Sequence, residues 1–203
     1  MKLPRKKSIL LGLAVLGTTA GKTSATLLTF DGLPSGGPLD TFFPPVPNGY
    51  GGLNWNGFST INGKEFSPGP GYYNGVVSPD NVAFNPYGNP ASIGISAGTF
   101  NLYSAYLTYA LNLQTPLDIQ VEGFLGSTLL YSNTYVVNSS APTLVNFNYL
   151  GVNSIEFVPP PSQEFVMDNL SETVPDGPST FILFGFASAG LALMQRKLKR
   201  VDL

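Results

Sequence analysis

The chain has 203 residues with a formal charge of −2, from twelve Asp and Glu against ten Lys and Arg, and contains neither histidine nor cysteine. Without thiols or imidazoles it can form no disulfide, no thiolate or imidazole catalytic pair, and none of the usual zinc sites. Its 23 glycines and 18 prolines, set among 43% hydrophobic residues, describe a loop-rich chain that still has apolar material for a core.

At the N-terminus, Lys2, Arg5, Lys6 and Lys7 precede a short apolar run from Ile9 to Leu16, and small residues follow at Thr18-Thr19-Ala20 and Thr23-Ser24-Ala25. That order predicts a secretory signal peptide over residues 1–25, cleaved after Ala20 or Ala25. The apolar run is too short to span a bilayer comfortably. About 150 residues remain, one domain by length and enough to bury a core without disulfides.

From there the hydrophobic period is two. Leu117, Ile119 and Val121 alternate with Asp118, Gln120 and Glu122, and Ile155 and Phe157 alternate with Ser154 and Glu156. Thr143, Val145, Phe147 and Tyr149 share one face, with Asn146 and Asn148 on the other. These are half-buried strands with polar outer faces. Further strands are predicted over 27–33, 53–61, 82–84, 99–108, 128–137 and 164–170. Gly36-Gly37-Pro38, Pro44-Pro45, Pro68-Gly69-Pro70-Gly71, Asn85-Pro86-Tyr87-Gly88-Asn89-Pro90 and Pro159-Pro160-Pro161 break the pattern as turns and loops. No amphipathic helix is expected between residues 26 and 173. Nine or ten short strands with such breaks predict an all-β fold, an antiparallel β-sandwich of jelly-roll type.

The chain closes on Val174-Pro175-Asp176-Gly177-Pro178-Ser179-Thr180, an apolar run from Phe181 to Met194, and Arg196, Lys197, Lys199 and Arg200. Fourteen helical residues rise only about 21 Å, against a hydrocarbon core of about 30 Å. Adding Ser179, Thr180 and Gln195, with Arg196 and Lys197 snorkelling outward, brings the span to roughly 25 Å, enough for a thin bilayer. A single transmembrane helix is therefore expected over 181–195. The basic cluster behind it places the C-terminus in the cytoplasm and the preceding chain outside.

Setting both ends aside changes the charge. Between Thr26 and Thr173 ten acidic residues face Lys64 alone, a net charge of minus nine. Such a field argues against nucleic acid as a partner and favours solubility and divalent cations.

The short motif from Val174 to Thr180, the glycine-punctuated apolar helix and the terminal basic residues together resemble the PEP-CTERM class of bacterial sorting signals, in its Val-Pro-Asp variant. The resemblance implies that residues 174–203 are read by an exosortase-type membrane protease, with Val174, Pro175, Asp176, Gly177, Ser179 and Thr180 as the sorting motif. It also implies a membrane-anchored precursor and delivery to the cell envelope or extracellular matrix. Pro178 stands where many relatives carry Gly or Ser. The segments Thr29–Leu33, Gly52–Phe58, Gly71–Ser78, Gly98–Tyr106 and Phe165–Leu170 look like landmarks of PEP-CTERM exported β-sandwich domains, whose layout is similar to carbohydrate-binding jelly rolls.

Two sets of residues are candidates for function. Asp31 and Asp168 lie in the opening and closing strands, each two residues before a leucine. If those strands pair, two carboxylates approach with only Lys64 in the domain to neutralise them, and a structural calcium ion is the economical answer. Otherwise the two aspartates cap turns or face water. No other cofactor is called for. Tyr72, Tyr73 and Tyr87, beside glycines and prolines in loops, offer rings on which sugars stack, with Asn74 supplying hydrogen bonds. Trp55, between Leu53 and Phe58, is expected in the core instead. The combined expectation is an exported, noncatalytic surface or matrix protein that binds extracellular polysaccharide. A secreted polysaccharide-acting enzyme using paired carboxylates and a purely structural matrix protein stay open as alternatives.

Overall fold

A computed structural model of the chain describes residues 24–67, 71–111 and 115–175. The expected signal peptide up to Thr23, and the sorting motif and helix from Asp176 onward, lie outside the described residues. Among the described residues no helix is long and apolar enough to cross a membrane.

Eleven strands are described: β1 (Thr26–Leu28), β2 (Asn54–Asn56), β3 (Ser59–Asn62), β4 (Asn81–Phe84), β5 (Ala91–Gly94), β6 (Phe100–Tyr109), β7 (Leu117–Leu125), β8 (Thr128–Val137), β9 (Thr143–Val152), β10 (Ser154–Val158) and β11 (Phe165–Thr173). A single helical turn, α1 (Gly71–Asn74), is the one α-helix described. Sheet A runs β3-β4-β11-β6-β9 with β1 also on β11, and sheet B runs β2-β5-β10-β7-β8. Every pairing between these strands is antiparallel. The all-β, two-sheet antiparallel sandwich is thus as expected.

The inner faces follow from the alternation. Leu117, Ile119 and Val121 of β7, Ile155 and Phe157 of β10, and Val145, Phe147 and Tyr149 of β9 are all buried in one core. Trp55 joins them at 6% exposure and meets Phe30 and Phe58 edge-on, with Phe58 in turn edge-on to Phe157 and Phe165. Each ring so buried is worth roughly 1.5–3 kcal/mol, and the edge-to-face contacts add about 0.5–1.5 each.

The strand predicted over 27–33 ends at Leu28, and Asp31 lies in the turn beyond it. Two further expectations need correction. The predicted strand over 53–61 is two strands in different sheets. Gly57 breaks it in the left-handed region, at φ 74°, and a Cβ there would approach the Pro90 carbonyl oxygen to 2.9 Å. The chain turns at Gly57 and passes from sheet B to sheet A, which a side chain would obstruct. The second correction is β5, four residues enclosed by Pro90 and the Ala97-Gly98 turn, where no strand was expected.

Sheet A is covered on its outer face. Ile61, Val82, Phe84, Ala110 and Val166 form a second, smaller core there, with Phe43, Phe66, Tyr72 and Val76 packed over it. The cover comes from the excursions before β2 and between β3 and β4. α1 fits because it starts on Gly71, where a Cβ would run into the Tyr109 carbonyl. Among the described residues sheet B carries no such cover: Asn54, Asn56, Asp118, Gln120, Ser132 and Thr134 on its outer face are exposed.

Candidate functional site

Pairing registers turn the outer face of sheet B into rows of polar side chains. Asn56 lies opposite Ser92, Ser92 opposite Glu156, Glu156 opposite Glu122, and Glu122 opposite Ser132, one row across all five strands. The next row sets Val158 beside Gln120 and Gln120 beside Thr134. Residues directly opposite on antiparallel strands point to the same side, so these groups share one surface. Gln120 Nε2 donates to Glu122 Oε1 at 2.7 Å and to Ser132 Oγ at 3.2 Å, which sets the amide between the two rows.

At one end this face runs into a trough. A hollow of about 320 Å³ is lined by Asp118, Gln120, Thr134, Val158, Pro159 and Pro160. A second, of about 280 Å³, shares Asp118 and Pro160 and adds Tyr109, Thr115, Pro116, Leu117 and Gln163. The Tyr109 hydroxyl donates to the Gln163 side chain and holds that wall.

Tyr87 stands on the loop cluster behind the trough wall. Its backbone N–H donates to Glu164 Oε1 at 2.7 Å, and Asn85 accepts from the Phe165 N–H at 2.7 Å, tying the loop 85–89 to the segment that carries Pro160 and Gln163. The residue is 76% exposed, which leaves its side chain open for stacking. Tyr72 has another task. Its hydroxyl donates to Glu164 Oε2, and its ring lies against Phe66 and Phe84 over the smaller core, beside a hollow of about 240 Å³. Burial first, then the Glu164 carboxylate, pushes that phenol well above the usual tyrosine range. Tyr73 is half-buried, with the Lys64 ammonium 4.5 Å from its ring centre. Asn74 donates to the Ser139 carbonyl at 2.8 Å and pins α1 to the β8–β9 connection. Glu164 therefore brings Tyr72 and Tyr87 together, while Tyr73 and Asn74 are held elsewhere.

The two aspartates fare differently from one another. β1 and β11 do pair, with Thr26 opposite Glu172 and Leu28 opposite Leu170. β4 takes up the same edge of β11 farther along, opposite Val166 and Met167, so Asp168 faces the gap between β1 and β4. The turn 77–78 fills that gap. Asp168 Oδ2 accepts from the Val77 and Ser78 N–H groups at 2.7 and 2.8 Å, and Oδ1 accepts from Ser78 Oγ at 2.9 Å and the Asn169 N–H at 2.7 Å. Asp31 Oδ1 accepts from the Asn81 N–H at 3.2 Å. Hydrogen-bond donors occupy both oxygens of Asp168 and offset the charge for which calcium was expected. In this arrangement the pair does not fit a cation, and no group of three or more acidic side chains spaced to hold one occurs among the described residues. Val174, the first residue of the expected sorting motif, follows directly on β11 and packs against the main core, and Pro175 is exposed.

Sequence reasoning missed the site on sheet B. It placed Asp118, Gln120 and Glu122 correctly as a polar outer face, but the rows exist only once β5, β7, β8 and β10 are in register.

No protein-family model and no curated protein matches the sequence. Among solved structures, the chain is similar to the CBM22-1-CBM22-2 tandem domain of Paenibacillus barcinonensis Xyn10C, at 10% identity and a TM-score of 0.43 over 79% of this chain and 49% of that one. It thus spans about half the length of that tandem. The CBM22-1 xylan-binding domain of the same protein matches at 11% identity and a TM-score of 0.39, over 62% of this chain and 87% of that one. A family 61 module, TmCBM61, in complex with β-1,4-galactotriose matches at 7% identity and a TM-score of 0.33, over 62% and 93%. These neighbours are carbohydrate-binding modules, and at such scores the likeness says nothing about a ligand here.

Proposed function

We propose that the chain is an exported, noncatalytic protein of the cell envelope or extracellular matrix that binds a hydroxyl-rich polysaccharide across sheet B. The observation that carries this is the open outer face: amides, hydroxyls and carboxylates set in cross-strand rows, leading into a trough walled by prolines. Sugar hydroxyls both donate and accept, and such a mixed surface answers them. The acidic field selects against polyanions, which leaves neutral glycans as the first class. Export and sorting rest on the terminal residues of the sequence. In this reading an exosortase-type protease releases the domain from its membrane-anchored precursor.

A noncatalytic role is supported by the acids themselves. The two carboxyl groups pushed above the ordinary range, Asp168 and Glu172, are 0% and 1% exposed, so neither can reach a glycosidic oxygen as a general acid.

The test is affinity electrophoresis through gels containing neutral polysaccharides, combined with a reducing-end assay. Retardation without release of reducing ends is expected, and Gln120→Ala with Glu156→Ala should weaken it by about tenfold, the loss of one or two hydrogen bonds. Equal migration in every gel, or sustained release of reducing ends, would overturn the proposal.

A further inference from the structure

A sheet that is not closed has edges, and each must be blunted if a protein is to stay alone. Five of the described strands have a free edge, and four of them are blunted. β1 and β2 are each three residues long. β3 is covered by the preceding excursion, through Gly36 N–H to the Thr60 carbonyl, Asn62 N–H to the Gly36 carbonyl and Thr60 N–H to the Pro44 carbonyl. β9 is bent by left-handed Asn148 and Gly151, at φ 52° and 69°, and the Tyr131 hydroxyl and Asn101 Oδ1 occupy its backbone at Leu150 and Gly151.

β8 is neither short nor covered among the described residues, and its one irregularity is a register shift against β7 at Leu130, near the start of the strand. It is ten residues long, Thr-Leu-Leu-Tyr-Ser-Asn-Thr-Tyr-Val-Val, and among the described residues it pairs only with β7. It contains no proline, no glycine and no charge. Its apolar exposure is also high, with Leu129 at 49%, Leu130 at 42% and Val136 at 57%. Moreover, no charged residue occurs anywhere between Glu122 and Glu156, in a domain that otherwise carries minus nine.

We propose that β8 is an assembly edge that pairs with β8 of a second copy of this chain. The charge distribution names the occupant. A like-charged copy is repelled from acidic surfaces and meets little resistance along this uncharged edge, whereas a cationic partner would be drawn to the acidic surfaces and away from it. A two-fold axis through the edge sets the two β8 strands antiparallel, so the contact is closed and self-complementary. The two sheets B then join into one continuous ten-stranded sheet, counting five from each copy.

The experiment uses the full chain in a mild nonionic detergent, which occupies the apolar ends. Sedimentation velocity across roughly a hundredfold range of concentration should show a rise to twice the 21.6 kDa chain mass. Hydrogen exchange of the backbone amides over residues 129–136 should slow over the same range. Leu129→Glu with Val136→Glu adds like charge at two exposed positions that do not line the trough. That variant should remain monomeric, keep the melting temperature of the parent and lose the slowed exchange. A parent that stays monomeric throughout, with β8 amides fast or protected by its own chain, overturns the proposal. So does a dimer that persists in the double variant.

Discussion

Asp168 shows how a single buried carboxylate is made tolerable. It sits on β11 with no exposure, and burial pushes its pKa above the usual carboxylate range, while the donors from Ser78, Val77 and Asn169 pull it back. Three of its four hydrogen bonds reach across about 90 residues to the turn that closes the outer face of sheet A, and the fourth comes from the neighbouring Asn169 N–H. Asp168→Ala would strand those donors inside the protein, and a loss of about 3 kcal/mol is expected in urea denaturation. A loss under about 1 kcal/mol would show that water replaces the carboxylate at no great cost. The sequence pointed to Asp168 and paired it with Asp31 by strand order alone. It could not point to Val77 and Ser78, because nothing local distinguishes two loop residues whose N–H groups converge on a strand so far along the chain.

The second buried acid acts at the level of a strand. Glu172 lies opposite Thr26 of β1 and Leu102 of β6, at 1% exposure, and its Oε2 has no hydrogen-bond partner. Burial raises its pKa above the ordinary 4.5, only partly opposed by the Thr26 hydroxyl and the Val174 backbone. A carboxyl that holds its proton more tightly when folded contributes most at pH below 4.5, and that contribution is lost as pH climbs through the raised folded value. The melting temperature should therefore fall from mildly acidic to neutral pH, and Glu172→Gln should flatten the fall. An unchanged slope in the variant would place the pH dependence elsewhere. Elements such as β7 and β10 were legible in the sequence, because one half-buried face writes a clean period of two. β5 was not, being short and enclosed by turn residues. The break at Gly57 was hidden because the residues before and after it are equally strand-like, and only the change of sheet makes the glycine necessary. The binding rows on sheet B failed for a related reason: alternation tells which side a residue faces, and only register tells what stands beside it.

Across the domain from Thr26 to Thr173 the imbalance of ten acidic residues against Lys64 is a standing cost. Like charges repel one another in the compact state more than in the expanded chain, and salt screens that repulsion over a Debye length of about 10 Å at 0.1 M. Raising sodium chloride from near zero to moderate concentration should lift the melting temperature by a few degrees. A fall would mean that attractive pairs outweigh the repulsion. The same imbalance leaves the uncharged edge along β8 open to a second copy.

The pairing of β1 with β11 has a mechanical consequence. Thr26 is opposite Glu172, so the segment entering the domain and the segment leaving it emerge side by side at one end of an antiparallel ladder only three pairs long. Tension between those two flanks, such as a tether on either side would exert, bears on one rung at a time. β11 is held on its other side by β6, so such tension is expected to unzip the short first strand before it parts the longer β6–β11 ladder.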